Sequence, residues 1–416
     1  LKLQRAVNEL KILNEISTAI SATLGVEEIT HLIVQKCMKH LEAEQGALWL
    51  LDQENQGMAR TFIRVMDREF DGLPFKIGVS LAGWVTKHRQ PLIIDDFTSN
   101  KTFTGLAEEY RSIRGLIAVP LTIKNRIIGI LCLFNKKGNG CFTVDDARLL
   151  SIVAIQSAQT IENARLYEEE FKLRELENDL KVARHIQKTL LPNKEPNLEK
   201  YDIAGLSVPA RMVGGDYYDY IEINDRQMGL TIADVSGKGT AAALLMASLQ
   251  TCIRGQTGLN QSARETIAKV NQMSFKFLET GRFVTLIYGL LDMNRAVLTY
   301  INAGHNYPIL VKENGDVSLI EGSDLILGID PLAVFEEKVI NINPGDVILL
   351  YTDGVTEATD ARGVMYGERR LSELLSACRH ASAFDISQKI LNEVQTYQGM
   401  TGQTDDITLI VIKHTG

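Results

Sequence analysis

Apolar side chains recur at heptad spacing over residues 3–24, and only Ser17 interrupts the series. A stripe of two apolar positions in seven is narrower than a globular helix needs, so it predicts a coiled coil or a helix pair. After residue 24 the pattern changes to one helical run at residues 29–41, followed by short strand-like runs at residues 46–51, 59–65, 91–94, 117–121 and 127–135. This order predicts an α+β module with an antiparallel sheet.

A second heptad pattern lies within a long predicted helix that begins at Asp145 and ends at Leu191, where Pro192 follows. Glu169 and Gln187 interrupt it, and its apolar positions are Leu166, Leu173, Leu176, Leu180, Ala183 and Leu190. Charged residues crowd the other faces, which is typical of a solvated coiled coil. The pattern favours parallel pairing in a homodimer with the helix as a connector, and a single amphipathic linker helix is the alternative.

The third region, residues 201–413, combines apolar strand-like runs with pairs of helical runs. The predicted strands are residues 227–234, 283–291, 297–302, 347–352 and 407–412. The predicted helices are residues 240–255, 263–278, 370–379 and 385–397. Strands clustered between helix pairs predict two sheets covered by helices, which is an α/β/β/α layered design.

Composition narrows the class of protein. The 416 residues are enough for two or three domains, and 45% hydrophobic with 23% charged residues excludes disordered and collagen-like chains. A net charge of -8 argues against a dedicated nucleic-acid binder. The five cysteines form no C-x-x-C pair, so neither a disulfide framework nor structural zinc is expected. No apolar run is long enough for a membrane segment and no signal peptide opens the chain, so we expect a soluble cytoplasmic protein.

The candidate chemistry lies in four acidic clusters, each at a point where a strand meets a turn. They contain Asp216, Asp234, Asp353 and the pair Asp405 and Asp406. One Asp-Gly is usually a plain turn. Four such clusters, without matching Lys or Arg at the same points, instead predict carboxylates that share a divalent cation.

The type of ligand atom indicates which cation these clusters would hold. A site with oxygen ligands alone suits Mg²⁺ or Mn²⁺, and the seven histidines form no zinc-peptidase motif. Residues 236–239 fail the phosphate-loop motif because Ile232 stands where that motif requires glycine. The predicted chemistry is therefore that of a hard-cation site rather than of a zinc peptidase or a Walker-type nucleotidase.

Residues 201–413 resemble metal-dependent phosphatases of the protein phosphatase 2C (PP2C) type, in particular the bacterial sporulation-phosphatase-E and RsbU-like group. The strings that carry the resemblance occur in family order, at residues 210–219, 233–239, 302–306, 351–357 and 405–408. Residues 183–192, at the end of the long helix, also look like the segment that leads into this domain in the family.

The resemblance implies a binuclear centre of two Mn²⁺ or Mg²⁺ ions. By motif match, Asp216 and Asp234 are ligands of both ions, the backbone carbonyl of Val235 adds an oxygen, and Asp353 and Asp405 complete one shell. Two ions about 3.5–4 Å apart can activate a water that attacks phosphoserine in line, without a phosphoenzyme. Catalysis of this kind consists mainly of charge stabilisation and positioning.

Four further residues have candidate roles by the same resemblance. Arg211 lies five residues before Asp216, where eukaryotic relatives place an arginine that clamps phosphate, and a surface arginine paired with a neighbouring acid is the alternative. His305 is either a general acid or a structural histidine, of which the structural role is favoured. Asp219 and Asp406 are expected to hold the metal-ligating residues in place without binding the metal themselves. Asp406 stands where eukaryotic relatives often have Asn.

The amino-terminal module resembles a GAF domain. The helix at residues 29–41 carries this resemblance together with the strings at residues 46–50, 83–85, 91–96, 116–121 and 128–131. They indicate the fold better than the ligand, since residues 135–146 depart from the signature of cyclic-nucleotide binders. Its aromatic residues are expected to pack in the core, and the alternative is that they line a pocket. These residues are Trp49, Trp84, Phe97 and Phe103.

Together these patterns predict a two-domain α+β sensor phosphatase. We assign residues 1–24 to an amino-terminal signalling helix, 25–163 to a GAF sensor domain, 164–192 to a coiled-coil linker and 193–416 to the phosphatase domain. The family implies hydrolysis of phosphoserine or phosphothreonine on a partner protein, often an anti-sigma-factor antagonist, under the control of an unidentified GAF ligand or partner. The alternatives are a phosphatase-fold scaffold that binds a partner without turnover and another metal-dependent phosphoester hydrolase.

Overall fold

The computed structural model describes residues 25–51, 59–66, 75–96, 113–259, 262–278 and 281–416. The predicted signalling helix at residues 1–24 lies outside the described residues, as do Phe97 and Phe103. The chain divides into two compact units, Leu1–Glu175 and Leu176–Gly416. Each unit has its own sheets and its own hydrophobic core.

The first unit contains one antiparallel sheet. Its elements are α1 (Val26–His40), β1 (Ala43–Leu51), β2 (Ala59–Met66), α2 (Phe75–His88), β3 (Leu92–Ile94), β4 (Leu116–Ile123), β5 (Arg126–Lys136) and the first part of α3 (Val144–Leu190). The strand order is β2-β1-β5-β4-β3, and all neighbouring strands are antiparallel. The predicted antiparallel α+β module is therefore confirmed.

Helices cover both faces of this sheet. Leu48 packs against α1 and α3 on one face, with Ile33 and Leu150. Trp49, the next residue along β1, packs on the opposite face with Leu81 and Val85 of α2. This alternation follows from the two-residue period of a strand. Trp49 is a core residue, as its default interpretation predicted.

Helix α3 runs without interruption over 47 residues, within one residue of both predicted ends. Thr143 and Asp146 cap its start, since each side chain accepts a hydrogen bond from the other residue's backbone N–H. The last of its buried side chains is that of Ile161. Beyond that point the heptad residues Leu166, Leu173 and Leu176 are more than half exposed, as unpaired coiled-coil positions would be.

The second unit contains two antiparallel sheets. One has the order β13-β10-β9-β8-β7, and its strands are β7 (Tyr217–Asn224), β8 (Gln227–Val235), β9 (Val284–Asp292), β10 (Val297–Ala303) and β13 (Lys338–Asn341). The other has the order β12-β11-β14-β15-β6, and its strands are β6 (Tyr201–Val208), β11 (Ile309–Val311), β12 (Val317–Leu319), β14 (Val347–Tyr351) and β15 (Ile407–His414). The helices are α4 (Thr240–Gln256), α5 (Ala263–Ser274), α6 (Asp353–Thr356), α7 (Gly367–Cys378) and α8 (Ala383–Gln398).

The sheets of the second unit pack face to face between two helix layers. Ile232 of β8 and Ile410 of β15 meet in the core between the sheets. Ala233, which follows Ile232, faces α4 and α5, whereas Leu409 faces α7 and α8. The predicted α/β/β/α layering is confirmed. Among the described residues, no helix combines the length and the apolar character needed to cross a membrane.

Candidate metal-binding active site

The acidic clusters lie where strands of both sheets begin or end. Asp216 directly precedes β7, and Asp234 is the penultimate residue of β8. Asp353 begins α6 just after β14, and Asp405 lies just before β15. Each pair of strands is antiparallel, so the start of one strand lies beside the end of its neighbour. The topology therefore brings together one acidic residue from each of four strand ends.

Hydrogen bonds hold the two sheets together at this edge. The Thr352 hydroxyl donates to Asp216 Oδ2 at 2.8 Å and accepts from the Thr408 backbone N–H at 3.0 Å. The Asp406 carboxylate accepts from the N–H of Ala210 and from that of Gly215, both at 2.7 Å. Asp406 thus holds the loop that carries Asp216 against the start of β15, which supports the positioning role predicted for it.

The glycines beside these aspartates are required by close approach. A Cβ on Gly214 would contact the carboxylate of Asp406, and a Cβ on Gly354 would contact the Asp406 backbone carbonyl. A Cβ on Gly215 would lie 2.7 Å from the carbonyl oxygen of Val235. These contacts explain why the aspartates occur in Gly-Gly-Asp and Asp-Gly strings.

The carboxylates repel one another. Burial, together with the negative charges of Asp353, Asp405 and Asp406, raises the pKa of Asp234 to about 7. Burial, followed by the charge of Asp234, also raises the pKa of Asp216 well above its usual range. Burial and the charge of Asp405 raise the pKa of Asp353. Such a cluster is stable in its ionised form only with a cation nearby.

The prediction that no Lys or Arg matches the acidic clusters is wrong for Asp405 and for Asp219, which lies three residues after Asp216 in the first cluster. Lys238 Nζ lies 2.7 Å from Asp405 Oδ2. Arg254 of α4 binds the buried Asp219 through Nε at 2.6 Å and Nη2 at 2.8 Å. Asp219 also accepts from the Tyr217 hydroxyl at 2.7 Å, so its carboxylate is already satisfied by protein groups. The role of Asp219 in holding the metal-ligating residues in place stays a prediction.

The donor chemistry of the cluster fits a hard divalent cation, since Asp216, Asp234, Asp353 and Asp405 offer only oxygen atoms and repel one another. In the part of the chain that the structure describes, no three His, Cys, Asp or Glu side chains converge on a single ion position. Asp405 forms an ion pair with Lys238. The ligand assignments therefore stay predictions that the acidic composition of the cluster supports.

The other candidate residues lie around this cluster. Val235 ends β8, and its carbonyl oxygen lies next to Gly215, the residue before Asp216. Arg211 is exposed, and its Nη1 lies 3.9 Å from the position of a Cβ on Gly239, in the loop that follows Asp234. The role of Arg211 as a phosphate clamp stays a prediction.

His305 is a buried residue of a closed turn. Its backbone N–H donates to Asn302 Oδ1 at 2.8 Å, and its Nδ1 lies 2.8 Å from the Thr285 hydroxyl. Burial lowers the pKa of His305 to about 4, so the ring is neutral at neutral pH. A neutral buried ring cannot supply a proton there, which supports the structural role.

Sequence reasoning did not foresee the contact that Gln187 makes. This half-buried residue of α3 donates from Nε2 to the Gly214 carbonyl at 2.7 Å and accepts from the Gly214 N–H at 3.1 Å. Gly214 lies two residues before Asp216. The only sequence signal was the polar interruption of the heptad series at this position.

Comparisons with known proteins identify relatives of both parts of the chain. The family described as "Stage II sporulation protein E (SpoIIE)" matches residues 224–415, and the GAF domain family matches residues 23–162. The phosphoserine phosphatase RsbU of Bacillus subtilis is 30% identical, over 58% of this chain and 71% of RsbU. Protein IcfG of Synechocystis sp. is 29% identical, over 56% of this chain and 41% of IcfG. This chain thus spans less than half the length of IcfG.

A solved structure shows the same fold. The SiaA-PP2C domain of Pseudomonas aeruginosa superimposes with a TM-score of 0.53 and is 20% identical. The match covers 58% of this chain and 98% of the SiaA domain. The fold is therefore shared between a part of this chain and nearly all of the SiaA domain.

Proposed function

Since this chain belongs to the family of PP2C-like serine/threonine phosphatases that includes RsbU and stage II sporulation protein E, we propose that it hydrolyses phosphoserine or phosphothreonine on a partner protein. The resemblance predicted from the motifs is confirmed at the level of the family. The observation that carries the proposal is the set of four aspartates at adjoining strand ends, whose ionised forms require a cation.

As the motif match implies, Asp216 and Asp234 would be ligands of both metal ions, the Val235 carbonyl would add an oxygen, and Asp353 and Asp405 would complete the shell of one ion. When bound, divalent ions supply positive charge at the reacting phosphate and lower the pKa of a water ligand. The protein's part is to hold the carboxylates: Thr352 orients Asp216 through the 2.8 Å hydrogen bond. Arg211 would then orient phosphate oxygens from the solvent side. No protein nucleophile is needed.

The test is hydrolysis of a phosphoserine peptide with Mn²⁺, repeated after the metal has been removed with a chelator. We expect activity only with the metal, and a fall of about 100-fold or more in Asp234→Asn and Asp405→Asn. Asp225→Asn is the matched control, because Asp225 is exposed in the turn between β7 and β8. Full activity without divalent metal, or in both active-site variants, would refute the mechanism. A folded, partner-binding protein with no turnover under any condition would favour the scaffold alternative.

The proposed substrate is a phosphorylated anti-sigma-factor antagonist. Support comes from the relatives named phosphoserine phosphatase RsbU and phosphoserine phosphatase RsbP, the latter 25% identical over 59% of this chain. The test measures phosphate loss from a purified phosphorylated antagonist by intact-mass spectrometry, with an unrelated phosphopeptide as comparison. Equal kcat/KM on the two substrates would contradict the assignment of the partner.

We also propose that the GAF domain controls the activity through α3 in a homodimer. The exposed heptad residues Leu166, Leu173 and Leu176 favour helix pairing over a lone linker. Gln187 gives α3 a direct contact with the loop of Asp216. A change in pairing that moved Gln187 would therefore act on a proposed metal ligand, which is the differential contact that a switch requires.

A further inference from the structure

The loop of residues 236–239, between β8 and α4, directs a lysine at the acidic cluster. Gly237 has a φ of 101° and Gly239 a φ of 79°, a backbone conformation that favours glycine. The Ser236 N–H donates to the Phe283 carbonyl at 2.9 Å, and the Ser236 hydroxyl accepts from the Phe283 N–H at 2.9 Å. The loop is thus fixed at its start and turns sharply on both sides of Lys238.

Lys238 bridges to a segment that lies 167 residues further along the chain. Its Nζ donates to Asp405 Oδ2 at 2.7 Å and to the Thr404 carbonyl at 2.8 Å. The other oxygen of Asp405, Oδ1, accepts from the Asp406 N–H at 3.0 Å. In this arrangement the positively charged ammonium group neutralises the carboxylate of Asp405.

We propose that Lys238 is an internal cation of the site: it neutralises Asp405 while no metal is bound, and it must release Asp405 Oδ2 when a metal binds there. This inference rests on the proposed metal-dependent function. The Lys238 side chain is 45% exposed and that of Asp405 is 35% exposed, so the ion pair is weak enough to be exchanged. The Thr404 carbonyl leaves the ammonium group a hydrogen-bond partner after the exchange.

Two consequences follow from this competition. Lys238 stabilises the metal-free protein, since its ammonium group offsets part of the repulsion between Asp405 and Asp353. Lys238 also weakens metal binding, because the ion must displace the ammonium group from one ligand and then bind beside a positive charge. Lys238 is therefore a positioning residue that sets the metal concentration at which the site fills.

The experiment is titration of the metal-free full chain with Mn²⁺ by isothermal calorimetry, together with thermal unfolding with and without Mn²⁺. The variants are Lys238→Met, which keeps the length of the side chain without its charge, and Lys238→Arg, which keeps the charge. We expect Lys238→Met to bind Mn²⁺ about three- to tenfold more tightly and to gain more in Tm from Mn²⁺ than wild type does. Lys238→Arg should stay within about twofold of the wild-type affinity.

Lys312→Met is the matched control. Lys312 Nζ also binds an aspartate, Asp346, at 2.9 Å, but Asp346 is buried and lies away from the acidic cluster. The Lys312→Met variant should have a lower Tm than wild type and an unchanged affinity for Mn²⁺. Unchanged or weaker Mn²⁺ binding in Lys238→Met overturns the inference while the metal proposal stands. A wild-type chain that binds no Mn²⁺ overturns both.

Discussion

Gln187→Leu tests whether the long helix acts on the proposed metal site. The substitution removes both hydrogen bonds to the buried peptide of Gly214, at 2.7 and 3.1 Å, and offers no replacement. At about 0.5–1.5 kcal/mol for each bond, the loss is about 1–3 kcal/mol. If the loop that carries Asp216 loses this stabilisation only in its active arrangement, kcat/KM falls about 5- to 150-fold.

The assay is Mn²⁺-dependent hydrolysis of a phosphoserine peptide, with oligomeric state measured by sedimentation in parallel. Leu at position 187 restores the apolar heptad, so dimerisation should persist while activity falls. Gln187→Glu should have an intermediate activity, because a carboxylate can still accept from the Gly214 N–H but cannot donate to its carbonyl. Gln159→Leu is the control on an exposed part of the same helix. Unchanged activity and unchanged dimerisation in Gln187→Leu would refute the coupling.

Three further predictions concern stability and assembly. Arg254→Met should lower the free energy of unfolding by about 3 kcal/mol in denaturant titrations, because it leaves the buried Asp219 carboxylate without its cation, and a loss below about 1 kcal/mol would contradict this. The folded-state pKa of His305, about 4, lies below its ordinary value of 6.5, so its contribution to stability is present above pH 6.5 and is lost as pH falls toward 4. That loss is about 3 kcal/mol, and His305→Gln should flatten this part of the pH profile; an unchanged slope would count against it. Leu173→Glu should convert a dimer to monomers in sedimentation experiments whereas Lys172→Glu, off the heptad seam, should not, and dimers in both variants would contradict pairing along this seam.

Local pattern was sufficient wherever it repeats over many residues. The period of α3 and the stop at Pro192 predicted both helix ends within one residue. Strands β8, β14 and β15 are apolar runs, and their predicted bounds lie within two residues of the observed ones. Local interactions set these elements, so a window of ten or twenty residues contains the information.

Other elements could not be predicted from local pattern. Helix α2 was missed because Phe75, Ile77, Val79 and Leu81 alternate with small or polar residues, as in a strand. Three-residue strands such as β11 and β12 exist only because neighbouring strands supply their hydrogen bonds. Where the hydrophobic period points to the wrong element, or where a segment is too short to show a period, tertiary contacts determine the secondary structure.

The sequence alone determined the acidic set, its order, its family and the oxygen-ligand chemistry, because the motifs are short and contiguous. Only the tertiary structure decided which basic side chain forms an ion pair with which carboxylate. Lys238 reaches Asp405 across 167 residues, Arg254 reaches Asp219 across 35, and Gln187 reaches Gly214 across 27. These pairs follow from how strand ends and helices pack, and local periodicity carries no record of that packing. The acidic cluster that looked free of basic partners along the chain is therefore partly neutralised in the fold.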